Sequence, residues 1–198
     1  MRWLVVFCHP VPESFCAGLR DHAIGTLGSM GHEIRLIDLY AEGFDPVMRA
    51  DERRRYNEMG AADHPLPEHA AHLAWAEALL FVYPTWWYGL PAMLKGWLDR
   101  VWTPAVTFDM RPGERIRPMM THIRSIAVVT TCGAPLIWSH LVGHPGRKTI
   151  LRGIRALCAP RCRTLFLAHY LMDASTPVSR SRYLQKVSRK LGGFAGRA

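Results

Sequence analysis

Three short stretches hold residue types that could do chemistry: Cys-His-Pro-Val-Pro-Glu-Ser-Phe-Cys at 8–16, Tyr-Pro-Thr-Trp-Trp-Tyr-Gly at 83–89 and Thr-Thr-Cys-Gly at 130–133. In the first, His9, Ser14 and the amides of Phe15 and Cys16 would stand at a helix N-terminus. Orphan N–H groups and the positive end of the helix dipole suit a phosphate there. In the second, Trp86, Trp87 and Tyr88 follow Pro84 and Thr85 and offer flat apolar surface with no core of their own. In the third, Thr130, Thr131, Cys132 and Gly133 are small enough for their backbone to approach a ring edge and donate N–H groups to it. A phosphate site, a stacking surface and a row of amides together describe a pocket for a flavin. No glycine-rich dinucleotide fingerprint and no Walker pattern is present.

The elements that must position these loops are legible as continuous apolar runs: 3–8, 33–39, 78–83, 125–130 and 164–169. Runs apolar on both faces and separated by helical spacing predict a parallel sheet covered on both sides. The expectation is an α/β, doubly wound domain over 1–198 with five parallel strands in the order 2-1-3-4-5 and helices on both faces. In that order the three loops leave one edge side by side. Ser14 caps a predicted helix to about Gly28, and Pro91 falls in the first turn of a helix along Ala92–Trp102. Residues 43–68 read as an excursion with one short polar helix. Residues 103–124, with Pro104, Pro112, Gly113 and Pro118, read as a long loop.

Charge is unevenly placed in a chain of net +9. Residues 1–146 carry thirteen Lys/Arg and fifteen Asp/Glu, whereas 147–198 carry twelve cations and one acid, Asp173. Leu184, Val187 and Leu191 keep helical spacing there, so the cations are expected on a solvated helix face. Without interleaved aromatics a nucleic-acid partner is not expected. The five cysteines are odd in number and scattered, which fits free thiols in a reducing compartment rather than a disulfide framework. His69/His72 and His140/His144 are each half a metal site without a third ligand, so no metal is expected. No apolar run is long enough to span a membrane, and the N-terminus lacks a signal-peptide core, so a cytoplasmic location is expected.

The motifs HPVPESF, FDPVM, YPTWWYGLPAMLKGWLDRVW and TTCGAP follow the first four strands in turn. With them the chain resembles the flavodoxin-like NAD(P)H:quinone oxidoreductases, a group that includes modulators of drug activity and potassium-efflux ancillary proteins. The resemblance implies that His9, Ser14, Phe15 and Cys16 hold the flavin's phosphate and ribityl chain. It places Pro84 to Tyr88 along the isoalloxazine and Thr130 to Gly133 at its pyrimidine edge. Trp138 and His144 match a Tyr and a His that line the pocket over the ring, with His144 as a proton donor to the acceptor. Cys16 stands where the family often has Asn, Cys132 where it has Gly, and Trp138 lacks the tyrosine hydroxyl.

The implied activity is hydride transfer from NAD(P)H through FAD or FMN, with FAD favoured by the first loop, to a quinone by a ping-pong sequence. A homodimer is implied, with aromatics of one subunit completing the other's pocket. Trp97 and Trp102 are expected in core or interface. The alternatives are an azo-, nitro- or flavin reductase, or a flavin-binding ancillary subunit that docks on a membrane transporter through its basic 147–198 segment.

Overall fold

In the computed structural model, residues 1–58, 60–110 and 113–196 are described; Met59, Arg111, Pro112, Arg197 and Ala198 lie outside them. Among the described residues seven strands form: β1 (Arg2–Phe7), β2 (Glu33–Asp38), β3 (Ala78–Thr85), β4 (Phe108–Asp109), β5 (Arg117–Pro118), β6 (Ser125–Cys132) and β7 (Arg163–His169). The five long ones pair in parallel as β2-β1-β3-β6-β7, which is the expected order, while β4 and β5 make a separate antiparallel pair.

Strand alternation decides which helix each strand residue meets. Trp3, Val5 and Phe7 join Leu80, Val82 and Val129 on one face, under Leu19, Ala23 and Leu27 of α1 (Phe15–Gly28) and Val187 and Leu191 of α7 (Pro177–Ala195). Leu4 and Val6 join Leu79, Phe81 and Val128 on the other. That second face is covered by Leu73 of α3 (Pro67–Trp75) and by Leu94, Trp97 and Val101 of α4 (Ala92–Val101). Trp97 and Trp102 therefore belong to the core, and the Trp97 indole donates to His69 Nδ1 at 3.1 Å. Three short helices complete the fold: α2 (Ala50–Arg55), α5 (Leu136–Leu141) and α6 (Pro145–Lys148).

Several expectations are refined. β3 and β6 each run two residues beyond their apolar runs, so Pro84, Thr85, Thr131 and Cys132 are strand residues rather than loop. Only Ile37 of β2 is buried, because β2 lies at the sheet's edge. Pro91 is the N-cap of α4, one residue before its first turn. The stripe of α7 runs Tyr183–Val187–Leu191–Ala195, with Leu184 half-buried beside it. The 103–124 segment holds the β4–β5 pair and is tied down where Met120 N–H donates to Leu157 O.

The FDPVM segment is seated on α4 by a close approach. A Cβ built on Gly96 would lie 2.3 Å from Pro46 O and 2.4 Å from Pro46 Cβ. Beside it Arg100 donates to both carboxylate oxygens of the buried Glu52, at 3.0 and 3.1 Å, and to Asp45 O. The excursion is thereby fixed across the sheet's second helical layer. Gly96→Ala is expected to destabilise the chain by about 1–3 kcal/mol through backbone displacement. Gly193→Ala, at an exposed helix position with open space, is expected to stabilise it by about 0.5–1 kcal/mol. Urea midpoints moving in the same direction for both would contradict the packing argument.

Candidate functional site

In an open parallel sheet, ligands lie beyond the carboxyl ends of strands near the point where strand order reverses. Here β1 has β2 on one side and β3 on the other, and a cleft of about 770 Å³ opens at that edge. It is lined by His9, by Pro84 to Tyr88, by Thr131 to Ala134, and by Met172 and Asp173. The three chemistry-bearing stretches therefore do converge. Another cavity, of about 490 Å³, lies around Met1, Arg124 and Arg163 at the amino edge, away from all three.

The aromatic stretch is a tight turn. Gly89 N–H donates to Trp86 O at 2.9 Å, and Trp87 and Tyr88 between them have φ of 48° and 61°. Positive φ at both central positions is the pattern of a type I′ turn, which normally calls for Asn and Gly. Trp87 is 95% exposed, so no local packing rewards its strained backbone. The turn is held from behind by Gly146, whose N–H donates to Tyr88 O at 3.3 Å and whose added Cβ would lie 3.0 Å from the Gly89 carbonyl carbon.

Of the first-loop residues only His9 lines the cleft; Ser14, Phe15 and Cys16 do not. Ser14 Oγ accepts the Ala17 N–H at 3.1 Å and caps α1 as expected. Phe15 packs edge-on to His169, and Cys16 is buried in the core. Burial pushes the Cys16 thiol to about 12, so it is a neutral apolar group. His9 accepts the Val11 N–H at Nδ1 (3.0 Å) and stands 6.3 Å from the Trp86 ring; burial lowers its pKa. In the fourth-strand stretch, Thr130 is wholly buried and donates from Oγ1 to Tyr83 O at 2.6 Å, with Thr85 Oγ1 at 2.9 Å. Thr131, Cys132 and Gly133 reach the cleft, while Thr130 braces the strands beneath it.

A family model described as a flavodoxin-like fold matches residues 1–191. The chain belongs to that family. A ribosyldihydronicotinamide dehydrogenase-like protein of Penicillium crustosum is 32% identical over 157 residues, 67% of this chain and 58% of that one. An NAD(P)H:quinone oxidoreductase from Methanothermobacter marburgensis superposes with a TM-score of 0.82 over 98% of both chains at 23% identity. An FMN-dependent NADH-azoreductase from Bacillus anthracis, solved with FMN, gives a TM-score of 0.72 at 15% identity, over 99% of this chain and 98% of that one. The chain spans 54% to 64% of the length of the curated relatives it matches.

Within this flavodoxin-like fold, His144 lies beside Tyr88 of the aromatic turn, and Trp138 stands on α5. α5 ends at Leu141 and His144 takes a left-handed backbone (φ 49°), so His140 and His144 do not share one helix face. Their rings still meet edge-on at 4.7 Å. His144, Thr85, Tyr88, Cys132, Ser139 and Tyr170 enclose a space of only about 10 Å³, so His144 touches the ends of β3 and β6 without opening into the main cleft. Burial, then His140, Arg147 and Lys148, lower its pKa and favour the neutral ring. Trp138 is 56% exposed and lines neither space.

Sequence reasoning missed Ala134, Met172 and Asp173 as cleft residues. The signal available was positional: the exit of the last strand belongs to the same edge as the others. Asp173 comes so close that a Cβ on Gly133 would lie 2.8 Å from its Oδ2. The turn geometry itself yields a test on the unliganded protein. Trp87→Asn, at an exposed left-handed position, is expected to stabilise the chain by about 1 kcal/mol. A loss of stability in chemical denaturation would mean that the indole is held by contacts within the chain.

Proposed function

We propose that the chain is a flavin-dependent oxidoreductase that takes hydride from a dihydronicotinamide and passes it to a quinone or a related small electrophile. The observation that carries this reading is the strained Trp86–Gly89 turn, which holds exposed indoles over a cleft at the switch point of a parallel sheet. The residues fit a flavin. The cleft has flat aromatic surface on one side and small strand-end residues on the other, with the Asp173 carboxylate against Gly133. A flavin bound there would accept and donate the hydride.

The chain's own residues have separable tasks in this reading. The start of α1, capped by Ser14, would hold the phosphate through the backbone N–H groups of Phe15 and Cys16, and His9 would add a polar contact beside Trp86. Pro84, Thr85, Trp86, Trp87 and Tyr88 would line the ring. The backbone of Thr131, Cys132 and Gly133, braced by Thr130, would donate to its polar edge and stabilise negative charge there. His144, kept neutral by its surroundings, would stand beside Tyr88 and Cys132 behind the aromatic turn rather than at the acceptor's oxygen, since it does not open into the cleft. Trp138 lines neither space, so within one chain it would have no contact with the ring. Reductant and acceptor would use one mouth in turn, which is the ping-pong order.

The names of the relatives divide between ribosyldihydronicotinamide and NAD(P)H as reductant, and between quinone and azo compounds as acceptor. The FMN-bound Bacillus anthracis neighbour supports FMN against the FAD favoured by the first loop. The mass of the nucleotide released on heating decides between them.

A second copy of the chain would cover the apolar surface beside the cleft. Ile137 and Leu141 of α5 are 73% and 71% exposed, and Leu136, Trp138 and Trp87 extend the same character. Such surface marks an association site. Analytical ultracentrifugation is expected to give a dimer that Ile137→Asp shifts toward monomer; a wild-type monomer at micromolar concentration would remove the assembly claim.

The activity itself is tested by an absorbance spectrum from 300 to 550 nm. Flavin bands that bleach with NADPH and return with a quinone are expected, and Trp87→Ala should retain less flavin and turn over more slowly. A protein that binds neither FMN nor FAD would overturn the reading and leave the fold standing.

A further inference from the structure

Behind His144, away from the main cleft, lies a cavity of about 270 Å³ lined by His140, His144, Arg147, Lys148, Arg152 and Thr164, with Gly143 and Leu151. The backbone gathers these cations. α6 ends at Lys148, and a π-helical turn over Thr149–Gly153 carries the chain on to Arg152. π turns are rare and recur at functional sites. Lys148 N–H donates to His144 O at 3.0 Å, so the basic turn is attached directly to the left-handed residue.

Two imidazoles share the cavity with its cations. Arg20 meets Asp38 and Arg100 meets Glu52, but among the described residues Arg163, Arg189 and Lys190, around another cavity, pair with no acid. Among the described residues no carboxylate pairs with Arg147, Lys148 or Arg152. Residues 147–172 contain no acid at all. Arg147 lies over the Phe166 ring at 5.4 Å, which anchors its stem without neutralising it. Three cations around one cavity repel each other, and a bound anion would relieve that repulsion. His144 belongs both to this lining and to the small space beside Tyr88 and Cys132, so an anion there would sit one side chain away from the ends of β3 and β6.

We propose that this cavity binds a phosphate of the reductant, making the chain selective for a nicotinamide dinucleotide over the phosphate-free riboside. Two guanidinium forks and an ammonium match phosphate oxygens. A quinone offers no such group, and dihydronicotinamide riboside offers none either. The phosphate chemistry has two sources, the pyrophosphate bridge of either dinucleotide and the 2′-phosphate of NADPH. The proposal rests on the oxidoreductase reading for the identity of the ligand.

The test uses the flavin-loaded protein with three reductants: NADPH, NADH and dihydronicotinamide riboside. Lys148→Gln and Arg152→Gln lie at exposed positions, and thermal unfolding checks that they fold. Each is expected to lower the ratio of kcat/KM for NADPH to that for the riboside by about tenfold, mainly through KM. A parallel loss with NADH assigns the cavity to the pyrophosphate; a loss confined to NADPH assigns it to the 2′-phosphate. Calorimetry with 2′,5′-ADP and inorganic pyrophosphate reads binding without turnover, and at least one should bind and weaken about tenfold in Arg152→Gln. Equal losses with NADPH and the riboside, or no binding of either anion, would overturn the proposal. No turnover with any reductant would defeat the oxidoreductase reading, and the calorimetry would then decide the cavity by itself.

Discussion

The parallel register of β3 on β6 is the constraint on which the site depends. Ala78 lies beside Ser125, Phe81 beside Val128, and Thr85 beside Cys132. A slip of one residue would exchange Leu79 and Phe81 with Leu80 and Val82 between the two cores. The register is therefore set by apolar burial well below the cleft, yet it decides where both loops leave the sheet. Thr130 carries that setting upward by bonding to Tyr83 O and meeting Thr85 Oγ1. Tyr183 of α7 closes the set by donating to Thr130 O at 3.2 Å. The aromatic turn and the Thr131–Gly133 edge are thus referred to one rigid base.

The strand order, the two helical layers and the convergence of three loops were legible because they follow from period, burial and topology. A run such as Ala78–Tyr83 is apolar at every position, which only a strand covered on both faces explains. The strand ends were harder to read. Pro84 and Thr131 look like loop residues, but beyond Val82 strand β3 pairs with β6 alone, so the proline sits at a local edge of the sheet. The ends of the chemistry were hidden for a different reason. Nothing in Leu171-Met172-Asp173 has motif character, and its place in the cleft comes from the β6–β7 pairing alone. The Trp87 and Tyr88 backbones could not be foreseen either, since neither residue prefers the conformation that it adopts.

That unfavourable backbone has a pattern. Five described non-glycine residues have positive φ: Trp87, Tyr88, Ala105, His144 and Leu171. All but Ala105 lie in or beside the cleft and the small space behind it. Each costs on the order of 1–3 kcal/mol and persists only where its surroundings determine it. The surroundings here include the close backbone approach of Gly146 to Gly89, which leaves the aromatic turn no room to relax. The core supplies the stability from which this local strain is met, so the site is stiff before any ligand arrives. Stiffness lowers the ordering cost of binding a flat ring.

Charge completes the arrangement. Through residue 146 acids and bases nearly balance, and many of the arginines are paired across elements, as Arg100 with Glu52 and Arg124 with Glu77. Beyond it the same excess of cations has two outcomes that depend on geometry. On α7, Lys186, Arg189 and Lys190 lie off the buried stripe at exposed positions, Arg189 and Lys190 with Arg163 at a cavity that has no imidazole in its lining. Around the π turn, Arg147, Lys148 and Arg152 face one cavity, and their repulsion is concentrated beside His144. A helix of ordinary pitch with an acid one turn away would have removed that concentration at no cost to the core. The irregular turn and the missing acid act together, and both bear on the imidazole nearest the ends of β3 and β6.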